Sequence, residues 1–172
     1  SLLEIPNAKE IAVEFHSLSK SYNMTGWRIG MAVGNQEIIQ ALFKVKSNLD
    51  SGIAQAVQKM GIEALKWPEE AIKVRNDRYQ IRRDKVVTVL NQIGLKVSPP
   101  QASLYIWTRV PNGFSSATFA TALLDDLDIV VTPGSSYGKF GEGYIRLSLT
   151  LSDEDVDEAV RRISSWKIPD LV

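Results

Sequence analysis

Phe15-His16-Ser17-Leu18-Ser19-Lys20-Ser21-Tyr22-Asn23-Met24-Thr25-Gly26-Trp27-Arg28-Ile29-Gly30 is the stretch on which the chain turns. An apolar run, Ile11-Ala12-Val13, leads in through Glu14 and Phe15, and a second, Ile29 to Val33, leads out. The stretch therefore reads as a loop slung between two buried strands, Ile11 to Phe15 and Ile29 to Val33. It carries two hydroxyls (Ser17, Ser19), one ammonium (Lys20) and, eight residues later, one guanidinium (Arg28). Gly26 and Gly30 let the backbone turn or pack closely. Hydroxyls with an Arg suit a phosphate, and a lysine between them suits a carbonyl. A lysine attacks a carbonyl only as a neutral amine. Bringing its ordinary pKa near 10.4 down to a usable value takes about 4 kcal/mol, supplied by desolvation or a neighbouring cation.

Outward from the loop, Asn35 can cap a helix with Ile38, Ile39, Leu42, Phe43 and Leu49 on one stripe, broken at Asn48 to Gly52. A second helix carries Ile53, Val57, Met60, Ala64 and Leu65. Pro68 with Glu69 and Glu70 opens a third, in which Ile72, Tyr79, Val86 and Ile93 recur every seven residues and Gly94 is the stop. From Pro68 to Ile93 it would reach about 39 Å, and its narrow apolar stripe suggests a helix that bridges two bodies. Its Arg75, Arg78, Arg82, Arg83 and Lys85 alternate with Asp77 and Asp84, the pattern of a solvated face. After Gly94 come short elements. Strands are expected at Leu95 to Val97, Leu104 to Val110, Ile129 to Val131 and Tyr144 to Leu149, and helices after Ser115 or Ser116 and after Ser152. Strands mixed with helices of this size make an α/β or α+β body. Tyr105, Trp107 and Trp166 read as core residues of that body, and His16, the only histidine, as a packed or hydrogen-bonded neighbour of the lysine loop.

The chain has 172 residues, with twenty basic and twenty acidic side chains and a net charge of zero, which removes the electrostatic basis for a nucleic-acid or anionic-membrane partner. It has no cysteine, excluding disulfides, thiolate metal sites and cysteine nucleophiles. No apolar run approaches the roughly 18 residues of a membrane span. A cytoplasmic location is the expectation. The first residue is not methionine, and the first strand candidate begins almost at once, so the sequence reads as part of something longer.

Ser17-Leu18-Ser19-Lys20 followed by Gly26-Trp27-Arg28-Ile29-Gly30 resembles the cofactor-lysine signature of the class I/II, fold type I, pyridoxal-phosphate aminotransferases, Ser-x-Ser-Lys then Gly-x-Arg-x-Gly with the Arg eight residues past the Lys. The resemblance implies that Lys20 carries pyridoxal 5′-phosphate as a Schiff base and shuttles the substrate proton, and that Ser17, Ser19 and Arg28 bind the phosphate. Gly143-Tyr144-Ile145-Arg146-Leu147-Ser148 resembles the strand whose Arg, here Arg146, grips the substrate α-carboxylate. Ile145 and Leu147 would place Arg146 on the opposite face of that strand. The run from Glu14 to Arg28 is most similar to the LL-diaminopimelate aminotransferases and their bacterial relatives, which would place the parent enzyme in lysine biosynthesis. Relatives acting on alanine, aspartate or methionine share much of it.

The family's ring-protonating Asp and ring-contacting Tyr precede the lysine by more than the 19 residues present here. The resemblance thus implies an α/β fold that is the C-terminal part of the family's architecture. In it, residues 1–50 are a remnant of the cofactor-binding large domain, 51–94 linking helices and 95–172 a small α/β domain. It also implies amino-acid and 2-oxo-acid substrates, a homodimer as the full-length enzyme, no metal, and an isolated chain that is inactive. A β-lyase of the same fold and a non-catalytic folding or dimerisation module are the alternatives.

Overall fold

A computed structural model of the chain describes residues 1–169. Asp170, Leu171 and Val172, the end of the expected small domain, lie outside the described residues. The described chain falls into two compact units, residues 1–72 and a second that begins at Lys73. The helices expected to link two bodies are divided between these units.

The first unit is built on two short antiparallel strands, β1 (Val13–Ser17) and β2 (Gly30–Gly34), in the register Val13 to Gly34 through Ser17 to Gly30. Both begin later than the apolar runs suggest. Ile11 instead closes the 3-10 turn Ala8–Glu10, its N–H bonded to the Ala8 carbonyl, and is 81% exposed. Nor are the strands buried. No residue of β1 or β2 is fully enclosed, and Phe15 is exposed. Two strands alone have no second layer to bury a face against. Asn35 caps α2 (Gln36–Leu49) by accepting from the Ile38 N–H at 2.9 Å. None of α2 is buried. Its Ile38, Leu42, Phe43 and Leu49 stripe is exposed in this unit, together with Val45. Helix α3 (Gln55–Leu65) closes the unit, with Gly61 and Ala64 as its buried positions.

The second unit holds nearly all of α4 (Glu69–Gln92). Val86, Val87, Val89 and Leu90 at its C-terminal end enter a core with Ile106, Phe119, Leu123, Ile145, Leu149, Val156 and Ile163. The basic residues of α4 are taken up within the unit. Arg82, almost fully buried, donates to Asp153 Oδ1 at 2.5 Å and to the Leu149 carbonyl at 3.1 Å. Arg83 donates to the Pro100 carbonyl, and Lys85 pairs with Asp157.

No strand forms at Leu95 to Val97. The Leu95 N–H closes α4 onto the Leu90 carbonyl, and the Asn91 amide takes both the N–H and the C=O of Val97, so the backbone has no ladder partner left to seek. The sheet is β3 (Tyr105–Arg109), β5 (Tyr144–Ser148) and β4, all antiparallel with β5 central. The strand expected at Ile129 to Val131 is displaced to Thr132–Pro133, which is β4. Its physical cause lies in the end of α5 (Ser116–Leu127). Asp128 caps that helix in the left-handed conformation, and the Ile129 N–H is spent on the Leu123 carbonyl. Ser115 caps α5 in a capping box with Thr118, and Ser152 caps α6 (Asp153–Ser165).

On α6, hydrogen bonds from Arg161 and Arg162 hold the Glu158 carboxyl down at about 2, against an ordinary 4.5. A depressed carboxylate contributes stability above the unfolded-state value that is lost as the pH falls through the folded-state value. Glu158→Gln is therefore expected to lower stability slightly above about pH 4.5, to leave it nearly unchanged near pH 2, and so to flatten the acid limb between them, as read by urea unfolding at stepped pH.

Candidate active site

The stretch between β1 and β2 is not an open loop. Ser17, the last residue of β1, caps a four-residue helix, α1 (Leu18–Ser21), its Oγ accepting from the Ser19 N–H at 3.2 Å. Ser17 is one of the few residue types that can end a strand and start a helix at one position. Lys20 sits in the last turn of α1 and is exposed.

The return path is tied back to α1 at several points. The Leu18 N–H donates to the Ile29 carbonyl at 3.2 Å, and Met24, buried, bonds through its N–H to the Leu18 carbonyl. The Thr25 hydroxyl donates to the Ser19 carbonyl at 3.1 Å, and the Thr25 carbonyl accepts from Arg28 Nη1 at 3.0 Å. Thr25 thereby joins the lysine segment to the arginine. Arg28 itself has φ of 51°, a left-handed conformation costing a non-glycine residue about 1 kcal/mol. Strain of this kind persists where the surroundings over-determine it. Gly30 faces His16 with no room for a side chain, since an added Cβ would lie 2.6 Å from the His16 carbonyl oxygen. Gly26 has open space around it, so close packing is not its role here.

Beneath the loop, Leu18 and Ile29 rest on α3 at Gly61, where an added Cβ would meet Ile29 Cδ1 at 2.6 Å. His16 is half exposed and its Nε2 lies 2.8 Å from Glu14 Oε2. Hydrogen bonds from the Ser1 hydroxyl, the Leu3 N–H and His16 hold the Glu14 carboxyl at about 2. His16 is thus the hydrogen-bonded neighbour that the sequence suggested.

The fold gathers Ser17, Ser19, Lys20 and Arg28 onto one closed segment of the first unit. Ser17 uses its Oγ lone pair locally and keeps its proton to donate, and only one guanidinium donor of Arg28 is spent on Thr25. Such a donor set fits a phosphate dianion, with a lysine beside it for an aldehyde.

Arg146 belongs to the second unit and sits on β5 directly opposite Trp107 of β3 and Thr132 of β4. Ile145 and Leu147, both buried, point the other way into the core, as their alternation requires. The Arg146 guanidinium lies against two aromatic rings. Its Cζ is 4.1 Å from the centroid of Tyr105 and 4.8 Å from that of Tyr137. Trp107 completes the aromatic surface, stacked on Tyr144 at 5.5 Å and edge-on to Tyr137 at 5.7 Å. Arg146 Nε is buried and has no hydrogen-bond partner among the described residues, so that donor is open to an acceptor. Two ring contacts hold the guanidinium, and its planar fork suits a planar anion such as a carboxylate.

This arrangement corrects the reading of Tyr105 and Trp107 as core residues. Tyr105 lies against Arg146, and Trp107 is 43% exposed. Trp166 does pack on the core, 5.8 Å from Phe119. Tyr137 stands in the run from Val131 to Gly138 just before β5, to which the sequence assigns no role at Arg146. Strand alternation could have found Tyr105, since Tyr105 and Trp107 share a face, and pairing β3 with β5 puts that face on Arg146. Among the described residues no group of three or more potential metal ligands occurs, and no helix is long and apolar enough to cross a membrane.

The sequence is 57% identical over 167 residues to LL-diaminopimelate aminotransferase of Dehalococcoides mccartyi, covering 97% of this chain and 43% of that protein. To LL-diaminopimelate aminotransferase of Aquifex aeolicus it is 49% identical over 168 residues, covering 98% of this chain and 43% of that protein. Among solved structures it is similar to a probable N-succinyldiaminopimelate aminotransferase from Thermus thermophilus, with TM-score 0.86 and 36% identity over 95% of this chain and 44% of that one. It is also similar to an aromatic aminotransferase from Pyrococcus horikoshii, with TM-score 0.86 and 30% identity over 95% of this chain and 44% of that one. The chain spans less than half the length of the curated relatives it matches, and its fold is a C-terminal part of the α/β pyridoxal-phosphate aminotransferase architecture. The family's cofactor is pyridoxal 5′-phosphate, and the donor set of the lysine segment fits it. The sequence model for aminotransferase class I and II matches residues 4–163, and the chain belongs to that family.

Proposed function

We propose that the full-length protein is an aminotransferase that moves an amino group between an amino acid and a 2-oxo acid, with LL-diaminopimelate as the amino donor. The observation that carries the activity is the closure of residues 17–30 into one segment that holds Ser17, Ser19, Lys20 and Arg28 together. The similarity to LL-diaminopimelate aminotransferases at 57% and 49% identity supports the substrate. Pyridoxal phosphate, when bound, supplies a conjugated sink for the electron pair left at the substrate Cα.

The protein's residues do the rest. Ser17 and Ser19 donate hydroxyl protons to the phosphate, and Arg28 neutralises it through its planar fork. Lys20 Nζ would hold the cofactor and would take and return the Cα proton of the substrate. Arg146, against Tyr105 and Tyr137, receives the substrate α-carboxylate on the edge of its fork. We further propose a cytoplasmic homodimer. The exposed apolar stripe of α2, which buries nothing in its own unit, supports an additional covering surface.

The test is to supply the full-length protein with pyridoxal phosphate, LL-diaminopimelate and 2-oxoglutarate and to follow both products. Glutamate formed in step with the oxo acid of the donor is the expected result. Release of ammonia and pyruvate from amino acids bearing a β-leaving group, without exchange, would replace the aminotransferase with a β-lyase. Failure to bind pyridoxal phosphate would overturn the reading entirely.

A further inference from the structure

The ring of Tyr137 that covers Arg146 is carried by a segment with little regular structure of its own. Residues 134–143 contain two 3-10 turns, Gly134–Tyr137 and Lys139–Gly141, between β4 and β5. A separate polar cluster holds this segment. Glu142 accepts from the Ser116 N–H at 2.7 Å through Oε1 and from the Ser116 hydroxyl at 2.8 Å through Oε2. Ser116, the first residue of α5, is fully buried. Its Oγ lies 3.0 Å from Ser135 Oγ and accepts from the Ser135 N–H at 3.3 Å. A carboxylate only accepts, so the single Ser116 proton goes to Glu142 and Ser135 supplies the proton between the two hydroxyls. The turns are also pressed together at Gly134 and Gly141, where a Cβ on either would lie 2.0 Å from the other's carbonyl oxygen. The Ser116 N–H, the Ser116 hydroxyl and the Gly143 N–H hold the Glu142 carboxyl below the ordinary carboxylate range.

We propose that Glu142, acting through Ser116 and Ser135, is a positioning residue for Arg146, fixing the turn that lays Tyr137 on the guanidinium and so setting the affinity for the α-carboxylate of both substrates. Ser135 stands two residues before Tyr137 and Glu142 four residues before Arg146, so the cluster grips the segment at both ends. Released, the turn gives up one of the two rings that hold the guanidinium. The fork then regains rotational freedom that a bidentate carboxylate must remove on binding. A simple helix cap on α5 would account for the Ser116 bonds alone. It would not explain why the same hydroxyl reaches on to Ser135.

The inference rests on the assignment of the α-carboxylate to Arg146, and the experiment separates the two. In the full-length holoenzyme, Glu142→Gln is expected to raise KM about tenfold for both the amino acid and the 2-oxo acid, with kcat within about twofold. Tyr137→Ala should raise KM by a similar factor, and the double variant should add little to either, because both act on one contact. Ser135→Ala, which leaves the Glu142–Ser116 bonds in place, should raise KM about threefold and serves if Glu142→Gln fails to fold. A Glu142→Gln enzyme with a lowered Tm but unchanged KM would reduce Glu142 to a helix cap and overturn the proposal, as would additive KM effects of Glu142→Gln and Tyr137→Ala. Arg146→Gln is the control. If it raises KM while Glu142→Gln and Ser135→Ala do not, the positioning role alone fails. If Arg146→Gln leaves KM unchanged, the carboxylate assignment fails and takes the positioning role with it.

Discussion

Lys20→Ala in the full-length protein is expected to abolish covalent cofactor attachment and to lower amino-group exchange by about 10²–10⁴-fold, the scale of a lost general acid–base group. Lys20 stands at the end of a helix of only four residues, capped by Ser17 and tied through Ser19 and Thr25 to Arg28. The substitution removes the amine and leaves those ties in place, because none of them passes through the lysine side chain. The variant should therefore still bind the cofactor through Ser17, Ser19 and Arg28. Borohydride reduction followed by peptide mass mapping checks this. The wild type should carry one reduced cofactor on the peptide containing Lys20, and the variant none. Labelling of another lysine, or turnover near the wild-type rate in the variant, would remove Lys20 from the reaction.

The second large effect is on stability. Gly141→Ala is expected to destabilise the second unit by about 3 kcal/mol, at the upper end of ordinary overpacking, because the new Cβ meets the backbone oxygen of Gly134 at 2.0 Å and not a side chain that can swing away. For a chain of this size that corresponds to a fall of about 6–12 °C in the midpoint of the unit's thermal transition. Gly52→Ala makes the comparison, since its Cβ would meet nothing within 4 Å, and it should move the midpoint by less than about 2 °C. Calorimetry on the three proteins distinguishes the cases. A Gly141→Ala protein as stable as the wild type would mean that the two turns are free to part and that the segment carrying Tyr137 is not held at this contact.

The local chemistry of the lysine segment was legible because it is written in adjacent residues. Hydroxyls, an ammonium and a guanidinium at fixed spacing between two apolar runs need no long-range information to be recognised. The capped helices were legible for the same reason: Asn35, Ser115 and Ser152 each satisfy a donor two to three positions along their own chain. Arg146 on the face opposite Ile145 and Leu147 followed from strand alternation.

The misreadings share a cause. At Leu95 to Val97 and Ile129 to Val131 the residue types favour a strand, but their N–H groups had already been claimed by the ends of α4 and α5. Which partner a backbone donor takes is decided by what lies beside it in space.

By itself, then, the sequence determined the identity and spacing of the reactive groups, the caps, and the faces of the individual strands, all of which depend on contacts within a few residues. Tertiary structure alone decided what surrounds them. It put Tyr105 and Tyr137 against Arg146, tied Thr25 to both Ser19 and Arg28, and joined Glu142 to Ser116 and Ser116 to Ser135. The aromatic clamp and the carboxylate cluster join residues 9 to 41 positions apart, and no local periodicity encodes such pairs; strand register and the closure of a turn create them.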